Sequence, residues 1–73
     1  MNYIDSKQIN WTVVCVYEFA KHKILNPKSA FQYLLAYGGM QFLKDYYAAE
    51  HLLSLEDTIE ALDQVCKQNG GQI

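Results

Sequence analysis

An all-α fold, a single small domain built as a bundle of four short helices, follows from three features of this chain. Apolar residues recur at helical rather than alternating spacing, most cleanly at Leu55, Ile59, Leu62 and Cys66. Two sites carry helix-start chemistry, Asn26-Pro27 and the Ser54-Leu55-Glu56-Asp57 box. Two glycine pairs, Gly38-Gly39 and Gly70-Gly71, stand where helices would have to stop. The expected helices run over 7–23, 27–37, 40–49 and 55–68, within one domain spanning 1–73.

The first helix, 7–23, has Asp5 or Ser6 as its candidate N-cap, since a short side-chain oxygen accepts from the open N–H groups of the first turn. Ile9, Val13, Val16, Tyr17 and Ala20 form an apolar stripe expected to face inward. The β-branched run from Thr12 to Val16 has strand character. Helix is preferred because the pattern continues through Glu18-Phe19-Ala20 without strict alternation. This helix is expected to be the central one, with the last helix packed across it.

In the second helix, 27–37, proline takes the first position, where its missing N–H costs nothing. Ala30, Phe31, Leu34 and Leu35 are expected inward. Gly38 ends it, because the stop needs a left-handed residue that glycine adopts without strain. Gly39 then frees the chain to turn into the third helix, 40–49. A phosphate-cradling loop is the weaker reading of this pair: no strand precedes it and no Lys-Ser or Lys-Thr follows. The fourth helix, 55–68, begins at the capping box and sets Glu56, Glu60 and Asp63 on another face. Its acids come early and Lys67 late, as the helix dipole favours.

The chain has 73 residues, of which 51% are hydrophobic and 14% aromatic. That is rich for a domain with so little interior, and leaves apolar surface over for a partner or a second copy. The high apolar content and a charged fraction of only 19% argue against disorder. Net charge is −2, with six lysines, no arginine and eight acids. Phosphate neutralisation supplies much of nucleic-acid affinity, so this balance argues against a nucleic-acid partner. Cys15 and Cys66 fit neither a CxxC nor a Cys/His metal spacing, and no metal or cofactor is expected. No signal peptide is visible, and the longest apolar run falls short of the roughly 20 residues that cross a bilayer. A cytoplasmic protein with two free thiols is the expectation, although sequence leaves a disulfide between them open.

Helix one is apolar nearly all round, with Trp11, Val14, Cys15 and Phe19 off the main stripe. Trp11, Val14 and Phe19 are therefore interface candidates, with Trp11 the anchor type; the alternative is a helix simply enclosed by the bundle. Tyr47 and His51, four apart with Glu50 beside them, are a candidate functional pair, as general base or metal ligand. A histidine bonded to backbone near a helix end is the plainer reading. Glu18 and His22 read as a surface pair. Cys15 and Cys66 lack a cationic neighbour at helical spacing and read as small core residues. Lys21, His22, Lys23 and Lys28 form a local basic patch, the basis of an alternative helix-turn-helix DNA-binding reading. Glu56, Asp57, Glu60 and Asp63 read as a solvated face rather than a cation site.

Several stretches resemble a family of short bacterial proteins, domain-of-unknown-function family 3791. They are the apolar helix from Ile9 to Ala20, Tyr37-Gly38, Phe42-Leu43, Tyr47-Ala48-Ala49-Glu50-His51, Leu53 to Thr58, and the tail from Cys66 to Gly71. The resemblance implies a small helical unit encoded beside other small genes, some toxin-like or ADP-ribosyltransferase-like. It supplies no catalytic residues. The expected function is a non-enzymatic protein–protein interaction module, self-associating or serving as an accessory or antitoxin-like partner of a co-encoded protein.

Overall fold

The computed structural model describes residues 6–73. The candidate cap Asp5 lies outside them, and Ser6 opens the first helix. The element order is α1 (Ser6–Lys23), α2 (Pro27–Ala36), α3 (Gly39–Asp45), α4 (Tyr47–Glu50) and α5 (Leu55–Gln68). Among the described residues there is no strand, and the all-α expectation holds.

The cap chemistry does what it foreshadowed. Asn26 Oδ1 accepts from the Ser29 N–H at 2.8 Å, with Pro27 in the first helical position. Ser54 Oγ accepts from the Asp57 N–H at 3.1 Å. Gly38 stands at φ +81° just past α2, and Asn69 Nδ2 donates to the Tyr37 carbonyl at 3.0 Å. The side chain of the residue that caps α5 thereby satisfies a carbonyl that the end of α2 leaves open. Gly39 has a different task from the one expected. It is buried in the first turn of α3, and a Cβ there would lie 2.5 Å from Leu34 Cδ2 and 3.2 Å from Cys66 Sγ. Close packing of α3 on α2 and α5, not freedom to turn, demands glycine.

The expected helix 40–49 is interrupted at Tyr46, whose φ of −112° and ψ of 16° leave the helical region. No glycine or proline marks this break. It coincides with Tyr47 turning its ring onto Trp11 of α1 while Leu43 stays fully buried.

The helices pack as a ring rather than around a central member. The principal contacts run α1 to α2, α2 to α3, α3 to α5 and α5 back to α1, with α4 on α3. The expectation that helix one is central is thus corrected. Its inward face differs too. Cys15, Val16, Phe19 and Ala20 are buried, whereas Ile9 and Val13 are each 47% exposed and Tyr17 53%. Either face of α1 is apolar enough to bury. The one chosen carries Phe19, the largest side chain of the fully buried set, and ends on Lys23, whose Nζ meets Asp63 Oδ1 of α5 at 2.6 Å. Phe19 is therefore a core residue and not an interface anchor. On α2, Ala30, Tyr33 and Leu34 are buried, while Phe31 and Leu35 are exposed instead of inward. Rotation of α2 lets Tyr33 stack on Phe19, with ring centroids 6.0 Å apart, and lets its hydroxyl accept from the Ile73 N–H at 3.4 Å.

Both α1 and α5 end in the same reciprocal turn. Gly71 N–H donates to the Cys66 carbonyl and Gly70 N–H to the Lys67 carbonyl, with Gly70 at φ +99°. At the end of α1, Leu25 N–H donates to the Ala20 carbonyl and Ile24 N–H to the Lys21 carbonyl. Here the left-handed position is held by Ile24, at φ +55° and 92% exposed. A β-branched residue there is strained by about 1–2 kcal/mol, and exposure gives nothing back. Ile24→Gly is expected to stabilise the fold by about 1 kcal/mol, the added freedom of the unfolded chain offsetting part of the relief. For a domain this size that is several degrees in Tm. A melting curve that does not move upward would contradict the strain.

Candidate protein-interaction surface

The outward face of α1 is apolar and left uncovered. Ile9, Val13 and Tyr17 repeat every fourth residue, and Val14 beside them is also about half exposed. Lys21 continues the same stripe, its side chain 77% exposed, whereas the buried stripe Trp11-Cys15-Phe19 continues to the part-buried Lys23. Both stripes end on a lysine, so no sequence signal tells which one faces solvent; the ion pair of Lys23 with Asp63 makes the difference. Leu35 and Phe31, one turn apart on α2, add a second exposed apolar row.

Between α1, α2 and α3 lies a groove of about 420 Å³. Ile9, Val13, Leu35 and Met40 form its apolar walls, with Gln8, Gln41 and Lys44 among its polar lining. Among the described residues, Lys44 is the only charged one in that lining. The groove is usable because Thr12 donates its hydroxyl to the Gln8 carbonyl within α1 at 2.8 Å, and Gln41 donates to Asp45 at 2.9 Å. Two of its polar side chains, Thr12 and Gln41, are thus bonded within their own helices, and the walls offer contact area rather than chemistry.

A second cleft, of about 450 Å³, separates α1 from α5. It sets Glu18, Glu56 and Glu60 over Leu55 and Ile59. Glu18 pairs with Lys21 at 3.3 Å, so the expected partnership with His22 is replaced by one a residue closer. Among the described residues, no three His, Cys, Asp or Glu side chains are grouped to hold a metal ion.

Of the residues singled out from sequence, Val14 lies on the exposed face. Trp11 is part-buried against the core, its ring set edge-on to Tyr47 with centroids 5.3 Å apart. Tyr47 and His51 do come together, stacked at 4.3 Å. The His51 Nδ1–H donates to the Tyr47 carbonyl at 2.5 Å, so one ring nitrogen is committed to backbone at a helix end. Glu50 turns inward and is buried; its charge acts on the Cys15 thiol instead. Burial first, and Glu50 second, push that thiol up to about 12. Burial likewise raises Cys66. Both cysteines are free thiols held in their neutral form.

The basic patch is thinner than its spelling suggests. Lys23 is 12% exposed and bound to Asp63, which Lys67 also holds at 3.1 Å. Asp63 accordingly leaves the solvated acidic face on which its spacing placed it. Sequence reasoning missed Ile9, Val13, Tyr17 and Leu35 as surface residues, because their spacing is as good for a core as for an interface. It also missed Thr58, fully buried, whose hydroxyl donates to the Glu50 carbonyl at 3.3 Å and ties α4 to α5.

No helix among the described residues is long and apolar enough to cross a membrane. No curated protein and no solved structure matches the chain. A family model described as "Protein of unknown function (DUF3791)" matches residues 10–69, from the second turn of α1 through the cap of α5 at Asn69. That segment contains Val13 and Tyr17 of the exposed stripe, the groove lining apart from Gln8 and Ile9, and the Tyr47–His51 stack, and the chain belongs to this family.

Proposed function

We propose that this protein is a non-enzymatic protein–protein interaction module that binds through the outward face of α1 and the groove beside it. The observation that carries the reading is the half-exposed stripe Ile9-Val13-Tyr17 bordered by Leu35 and Met40. A contiguous apolar face on so small a domain is unfavourable in water unless a partner covers it. The role is that of an accessory or antitoxin-like companion of a co-encoded bacterial protein in the cytoplasm, where free thiols persist. The alternative DNA-binding reading draws less support. A recognition helix needs donors for base edges, and α2 turns Phe31 and Leu35 outward.

Val13→Asp tests the proposal. The site is half exposed and helical, so the fold should survive with an unchanged far-ultraviolet circular dichroism spectrum and a Tm within a few degrees. Capture of a host protein by the tagged chain should fall at least about tenfold, the cost of placing a charge in an apolar contact. Equal capture by the wild type and the variant would remove the α1 face from the function.

A further inference from the structure

We draw no further inference here: the strongest candidate, the apolar outward face of α1 with the groove of about 420 Å³ it shares with α2 and α3, carries nothing more because nothing in the structure shows what covers it.

Discussion

Phe19→Ala is expected to remove about 3–5 kcal/mol of folding stability, the range for truncating a fully enclosed aromatic side chain. The ring is 0% exposed and stacks on Tyr33. Its loss opens a cavity where α1 and α2 meet, and two short helices cannot close it without giving up the Tyr33 contact to the tail. A domain of this size has a total margin of about the same magnitude, so the variant should be largely unfolded at room temperature. Phe19→Leu fills most of the space and should cost about 1–2 kcal/mol. Urea denaturation followed by circular dichroism separates the two. A Phe19→Ala loss below about 1 kcal/mol would mean that α1 does not present this face to the core. The comparison with Val13→Asp is pointed, since the two residues lie on the same helix but on opposite sides of the boundary between core and surface.

Asp63→Ala should cost about 2–3 kcal/mol, less than for a fully buried pair because Asp63 and Lys23 keep some contact with water. The Asp63 side chain is 19% exposed and holds Lys23 from α1 and Lys67 from its own helix. Removing it strands Lys23 at 12% exposure beside the core. The same pair makes stability depend on acid. Burial by itself would raise the Asp63 carboxyl, but the hydrogen bonds and charges of Lys23 and Lys67 outweigh it and hold the group below its ordinary 3.8. A depressed carboxylate contributes stability that is complete above the unfolded value and lost as pH falls through the folded one. Stability should therefore hold to about pH 4 and decline below it. Asp63→Asn should flatten that decline. If the wild-type and Asp63→Asn acid curves had the same shape, the ion pair would not be what registers α1 on α5.

Local chemistry made much of the fold legible. Asn26-Pro27 and Ser54 start helices because a side-chain oxygen three residues from an open N–H acts within one turn of chain. Gly38 ends α2 because only the backbone at that residue must turn left-handed. The α5 stripe was readable because its other faces carry Glu56, Glu60 and Gln64, so burial had one apolar side to choose. The Tyr47–His51 neighbourhood followed from helical spacing alone, although its chemistry is a stack and a backbone bond.

Where two faces of a helix are equally apolar, spacing has no preference, and only the tertiary structure decides. On α1 the choice fell to the Phe19–Tyr33 stack and the Lys23–Asp63 pair, both between residues far apart in the chain. Their outcome turned Ile9, Val13 and Tyr17 from expected core into exposed surface. On α2 the reach of Tyr33 to the tail set the rotation and left Phe31 and Leu35 outside. The break at Tyr46 belongs to the same class, since it coincides with a contact to Trp11 on another helix rather than any residue beside it. By itself the sequence determined helix type, most helix ends and the surplus of apolar surface, because each depends on neighbours within a few residues or on composition. Which part of that surplus stays uncovered, and hence where a partner can bind, was decided by long-range contacts that no local pattern encodes.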